Sequence, residues 1–558
     1  MKVKNFFLSL FTIFLLLLAG GCGKIPTNAN TAFRNFTLEL FREDLASNTL
    51  NLHFSLKNPN NYGIEETSIS LGSFPTDPST SLVFYENCEA SLKKFSYQML
   101  SEQNKLTYDI LSTYISTEKA GMDFILYAEP LSPITGIHTT LPVLLSEYPL
   151  YTEKDVRTYL SLLKTMPEYF SSLIQFEKSK SASGLFMNDA LLDEILTECH
   201  AFLDMKEENY MQDTFIERLS VIPNISEADR LNFLSEHEVL INEYIYPSYS
   251  QLIQALEDLR GTGQNAQGLC YFPKGKEYYT YLIAAETGSC KSVEKIKSMI
   301  ETQIDSDFLQ LVSLTEAIVQ EIDTVSPLQT IQTLSNGIKK AFPAPLPVNL
   351  ELKFVPKALE MHLSPAFYFI PAIDNMSDNV IYINQGYEMD SLDLFTTLAH
   401  ESYPGHLYQT TYFAATNPDP IRHILSCKGY VEGWATYAEM CSYSIAPMDQ
   451  ESARYEQKNN SLLLGLHAMA DLGIHYEGWS LEECIQFFST YGIQDRDSLT
   501  EIYNYILGNP TNYLSYYLGY LEILELKEKS NMSQKDFHEK ILSIGPAPFS
   551  IVEKWLLD

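Results

Sequence analysis

Leu398-Ala399-His400-Glu401-Ser402-Tyr403-Pro404-Gly405-His406 places two imidazoles and a carboxylate within seven residues. These are the donor types of a hydrolytic zinc site, in which three protein ligands leave one position open. Upstream, Asp390 or Ser391 can cap a helix whose apolar residues are Leu392, Leu394, Phe395, Leu398 and Ala399. His400 and Glu401 fall in its C-terminal part. In the HExxH pattern the histidines stand four apart and share a helical face. Here they stand six apart, which on a straight helix sets them about 120° out of line. Pro404-Gly405 supplies the remedy, because proline disrupts a helix interior and glycine accepts the dihedrals that follow. The spacing therefore predicts a break that swings His406 back towards His400. A helix running regularly from Leu392 through Gln409 would defeat the zinc reading.

The third ligand must come from elsewhere. Two Glu-Gly-Trp sequences follow, at 432–434 and 477–479. Tyr430 to Met440 reads as an amphipathic helix with Val431, Trp434, Ala438 and Cys441 on one face. Glu432 and Glu439 share another, so one can bind metal while the other orients a ligand imidazole from behind. Glu477 precedes Ser480, a fresh N-cap, and reads as a loop residue. Glu432 is the preferred ligand. Glu401 is then left for proton transfer between water and a leaving amine. An oxyanion needs a donor besides the metal. Tyr516, His475 and other tyrosines are candidates, and the chain has 36 tyrosines.

Outward from this stretch, Ala366–Ile370 and Val380–Ile383 are short, aromatic and β-branched, with turn formers at 374–379 between them. They predict a hairpin or small sheet before the His400 helix. Pro343, Pro345 and Pro347 suggest a boundary, dividing residues 36–345, a helical N-terminal part, from residues 346–558, which carry the site. Both parts read as one continuous helical body. Thr152 caps a helix bearing Val156, Tyr159, Leu160, Leu163 and Met166, and helical patterns recur at 191–205, 208–219, 235–259 and 292–322. Asn51–Leu56 alternates weakly, as in a strand or an extended stretch. Gly261–Asn265 reads as a loop, and Gly275-Lys276 as a turn before a helix, since the spacing of a phosphate loop is absent.

At the start, Met1-Lys2-Val3-Lys4 is basic and Phe6–Leu18 is almost unbroken apolar sequence. Ala19-Gly20-Gly21-Cys22 follows. This is the layout of an export signal over residues 1–21, and it resembles a bacterial lipobox, which implies a diacylglyceryl group on Cys22. Residues 22–35 read as a tether. The net charge of −33, from 38 basic and 71 acidic side chains, excludes nucleic acid as a natural partner. It also excludes a polybasic contact with anionic lipid. The seven remaining cysteines contain no CxxC pair, so a thiolate zinc site is not supported. Cys270 with Cys290 is one conceivable disulfide.

The chain resembles a bacterial family with an HExxPGH signature, grouped with zincin metallopeptidases of gluzincin type. The matching stretches are His400–His406, Val431–Glu439, Asp471–His475, Leu514–Gly519 and Gly275–Tyr279. The resemblance implies a mainly α, zincin-like fold with a small sheet beside the active-site helix. It implies one zinc ion on His400, His406 and Glu432, with Glu401 as general base and Tyr516 as oxyanion donor. His475 would contact substrate, and Glu439 and Asp471 would support the ligands. His467 and Asn512 depart from the family pattern, where arginine and glutamine are frequent, and bear on substrate preference.

Three functions compete. The first is a lipid-anchored extracytoplasmic zinc peptidase acting on peptides. The second is a solute-binding lipoprotein, for which the helical pattern is wrong, since such proteins are usually two-lobed α/β. The third is an inactive zincin-like scaffold, which has no evident need for Glu401.

Overall fold

The computed structural model describes residues 28–557, apart from Glu66, residues 315–321, Thr324, Ala358, Leu359, Met361, His362 and Ser426. The expected signal at 1–21, the lipidation site Cys22 and residues 23–27 of the tether lie outside the described residues. Helix α1 (Ala29–Ala46) starts earlier than the expected end of the tether at residue 35. Asn28 caps it by accepting from the Asn30 amide, and Phe33, Thr37, Phe41 and Leu45 bury one stripe. Asn51–Leu56, expected as a strand or an extended stretch, lies largely in a helix over Thr49–Ser55. Asn48 accepts from the Asn51 amide, and this cap together with burial of Leu50 and Leu52 outweighs the weak alternation.

The fold is mainly α, with one small sheet. The Thr152 cap opens Glu153–Leu163 through a reciprocal box with Asp155. The helix expected at 235–259 begins earlier, at Glu227, and a π turn at Ile241–Ile245 divides it from Tyr246–Asp258. Gly275 opens a helix to Leu282, as its turn predicts. All seven described cysteines are free, so Cys270 and Cys290 are not joined. No helix among the described residues is long and apolar enough to cross a membrane.

The sheet has the order β1 (Asn349–Phe354), β3 (Asp378–Ile383), β2 (Ala366–Phe369). The expected hairpin is β2 antiparallel to β3, with Ala366 opposite Ile383 and Phe369 opposite Val380. Strand β1, parallel to β3, was not anticipated, although Leu350, Leu352 and Phe354 alternate as a strand requires. Alternate residues bury on opposite faces. Tyr368 and Ile381 enter one hydrophobic core, and Phe367 and Tyr382 enter the other. The second core is built mainly from helices between residues 131 and 256, while the first joins α1 and its neighbours to the C-terminal helices. The expected boundary at 345/346 therefore does not divide the cores. The sheet contributes one face to each core.

Five further helices carry the site: α2 (Ser391–Glu401), α3 (His406–Ala415), α4 (Lys428–Ser442), α5 (Gln450–Leu472) and α6 (Asn512–Ser530). Helices α4 and α6 approach closely because each has glycine at the contact. A Cβ on Gly433 would lie 2.3 Å from the Gly519 carbonyl carbon, a backbone atom that cannot step aside. Gly433→Ala should therefore cost about 1–3 kcal/mol, the range for overpacking a fitted core, measured by chemical denaturation. An unchanged midpoint would contradict this close contact.

Candidate metal centre

The break between the histidines forms as their spacing predicts. Asp390 caps α2, accepting from the Leu392 and Asp393 amides at 2.8 Å each. The helix ends at Glu401, Ser402 leaves helical geometry (φ −113°, ψ −98°), the Tyr403–Pro404 peptide is cis, and α3 begins at His406. The Gly405 amide donates to the Ala399 carbonyl at 3.0 Å. A Cβ at Gly405 would lie 1.7 Å from the His400 carbonyl oxygen, so only glycine fits this fold-back. The buried Trp434 indole N–H donates to the Pro404 carbonyl at 2.9 Å. The Glu-Gly-Trp motif thus ties α4 to the turn while presenting Glu432 to the histidines.

The imidazoles of His400 and His406 come to 4.8 Å between ring centres. Glu432 Oε2 lies 3.7 Å from His400 Nε2 and 3.4 Å from His406 Nε2. One donor atom from each of the three residues lies within 4.8 Å of the others. Glu439 stands behind His400, with Oε2 3.1 Å from Nδ1, and its Oε1 accepts from Asn460 Nδ2 at 2.6 Å. A carboxylate at Nδ1 keeps the hydrogen there and leaves Nε2 to bind metal. Asn460, on α5, carries no spacing signal and was not anticipated.

Charge couples these groups. Burial works against a charged His400, but hydrogen bonds to Glu432 and Glu439 and the Glu401 charge outweigh it, and its pKa rises to about 10 in metal-free protein. Burial likewise opposes a charged Glu432, yet His406 and His400 hold it well below the usual carboxylate range. Tyr516 stacks on His400 at 6.1 Å. The Glu432 charge, then burial, Tyr505 and Glu401, raise its pKa well above the usual value, so it remains a phenol able to donate. Glu401 Oε2 accepts from the Tyr368 amide at 2.8 Å, which fixes the carboxylate against β2.

Two expected site residues serve elsewhere. His475 is buried on the π turn ending α5, packed against Tyr279 at 5.5 Å. Its Nδ1 accepts from the Leu269 amide at 3.2 Å and its Nε2 donates to the Ile506 carbonyl at 2.8 Å. Burial lowers its pKa to about 4. With both nitrogens committed to backbone, it joins two segments of the core and has no atom left for substrate. Asp471 accepts from the Tyr279 hydroxyl at 2.5 Å and the Thr511 amide at 3.0 Å. Thr511 (φ +66°) precedes α6, so Asp471 pins the start of the Tyr516 helix and does not touch the imidazoles. Glu477 pairs with Lys297 on the surface, away from the histidines.

Residues 79–556 match the family described as bacterial protein of unknown function, DUF885. The chain belongs to this family. Among solved structures, the DUF885 chain is similar to a protein of Colwellia psychrerythraea described as an inferred lipoprotein. That match has a TM-score of 0.80 at 18% identity, covering 95% of this chain and 98% of that one. A Shewanella oneidensis protein, described as an inferred lipoprotein of unknown function, matches with a TM-score of 0.65 at 16% identity, covering 94% and 100%. At these identities the likeness establishes a shared fold. A third structure, PZ peptidase A with an inhibitor, matches with a TM-score of 0.35 at 12% identity, covering 85% of this chain and 96% of that one, and carries no weight. Comparison with curated proteins gives no match.

Two outcomes follow from the geometry. Glu439→Gln should lower zinc affinity about 10–100-fold, the usual effect of removing a carboxylate behind a ligand histidine, read by competition with a chelating dye. Unaltered affinity would remove Glu439 from the centre. Below about pH 10, metal uptake must expel the His400 proton. Affinity should therefore rise with pH, about tenfold per unit for each proton released, and equal constants at pH 6 and pH 8 would contradict this.

Proposed function

We propose that this DUF885 protein is a zinc metallopeptidase, anchored by lipid on the outer side of a bacterial cell membrane. The observation that carries the reading is the convergence of His400, His406 and Glu432, with Glu401 held beside them by the β2 backbone. Two imidazoles and a carboxylate suit zinc, and the set leaves room for a further ligand. A bound zinc ion would supply the Lewis acidity that activates water and polarises a peptide carbonyl.

The chain's own residues do the rest. Glu401 takes a proton from the attacking water and returns it to the leaving amine. Tyr516 donates to the carbonyl oxygen as negative charge develops there. Glu439 fixes the tautomer of His400. A binding module or scaffold has no use for a carboxylate fixed where Glu401 stands, which favours the enzyme over the other readings.

The anchor reading rests on Ala19-Gly20-Gly21-Cys22 and on two relatives described as inferred lipoproteins. Attachment would come from the lipid, with the acidic body held off the membrane.

Metal analysis and a broad peptide library test the proposal together. Wild type should hold one zinc ion and cleave peptides. Glu401→Gln should keep the zinc and lose at least about 100-fold in rate. Wild-type protein that binds no zinc and cleaves nothing would overturn the reading.

A further inference from the structure

One turn along α4 and α6 from the metal centre lies a second polar group. Lys428 precedes Glu432 by four residues on α4, and Asn512 precedes Tyr516 by four on α6, so each pair shares a helical face. Lys428 Nζ donates to Asn512 Oδ1 at 2.9 Å, bridging the helices. Asn512 Nδ2 donates to the Tyr505 hydroxyl at 3.3 Å. The polar chain therefore runs from Lys428 through Asn512 to Tyr505.

The donors are not used up. Lys428 has three N–H groups, and the bond to the amide accounts for one. The Tyr505 hydroxyl accepts from Asn512 and keeps its own hydrogen to give. Burial raises the pKa of Glu286 and Asp471, carboxyl groups that Lys428 acts on. In a chain of net charge −33, a half-buried ammonium bonded to a neutral amide is set to receive an anion. The offset is also informative. One helical turn is about 5.4 Å, and an extended peptide advances about 3.3 Å per residue, so an anion at Lys428 lies one or two residues from a bond cleaved beside Glu432.

We infer that Lys428, Asn512 and Tyr505 form a carboxylate subsite that reads the free C-terminus of a peptide, so that one or two residues are released from that end. The inference rests on the peptidase reading above. A glutamate or aspartate side chain presents the same carboxylate, and the test separates the two sources.

Calorimetry on zinc-loaded Glu401→Gln protein compares acetyl-trialanine, its C-terminal amide, and an amide-capped peptide with an internal aspartate. The free acid should bind at least tenfold more tightly than either capped peptide. Lys428→Met on the same background should erase that preference, with the unfolding midpoint and zinc content unchanged, and Lys428→Arg should retain it. Equal binding of acid and amide overturns the subsite, as does a preference that survives in Lys428→Met. Tight binding of the internal aspartate peptide overturns the C-terminal reading. If wild type neither holds zinc nor hydrolyses peptides, the peptidase reading fails. The same titration on the metal-free protein still decides whether Lys428 reads a carboxylate.

Discussion

A buried hydrogen bond from α4 to the turn between the histidines ties the two halves of the site together. The Trp434 indole donates to the Pro404 carbonyl inside the core, joining α4 to the turn where α2 stops and α3 begins. Trp434 stands two residues after Glu432 and Pro404 two before His406, so one contact sets the carboxylate against the second histidine. A buried carbonyl in a turn has no helical partner and must find a donor. Gly405 completes the constraint, since its backbone lies against the end of α2 with no room for a side chain.

The rest of the C-terminal half supports that contact. Close packing of Gly433 and Gly519 brings α6 alongside α4, and Tyr516 is thereby set beside Glu432 and His400. Asp471 reaches from α5 to the amide of Thr511 and fixes where α6 begins. Asn460, also on α5, holds Glu439, which holds His400. The sheet adds the last part, because the β2 backbone fixes Glu401 while its two faces seal separate cores. Each element of the centre is thus positioned by a different neighbour, and the site depends on the whole helical body being formed.

Much of this was legible in the sequence, for physical reasons that differ by residue. Six-residue spacing across Pro404-Gly405 could be satisfied only by a break, and Asp390 announced the start of the helix before it. The hairpin at 366–383 was marked by β-branched and aromatic residues around a turn. Glu439 was legible because seven residues return a side chain to the same helical face. The failures have separate causes. His475 and Asp471 lie in a stretch that matches a family motif, but motif position does not reveal which atoms the core has already engaged. Both proved to satisfy backbone groups. Asn460 was invisible because its partner sits 21 residues away on another helix, with no period linking the two. At Asn48 a local cap overrode a weak pattern argument for extended chain, and at Asn28 a cap opened α1 inside the expected tether.

The central claim is that His400, His406 and Glu432 form one metal site. X-ray absorption at the zinc edge, on protein purified without added metal chelator, addresses it directly. The account predicts one zinc ion per chain, bound by two imidazole nitrogens with oxygen completing the set, and loss of one imidazole in His406→Ala. Sulfur coordination, or an identical spectrum after that substitution, would contradict it.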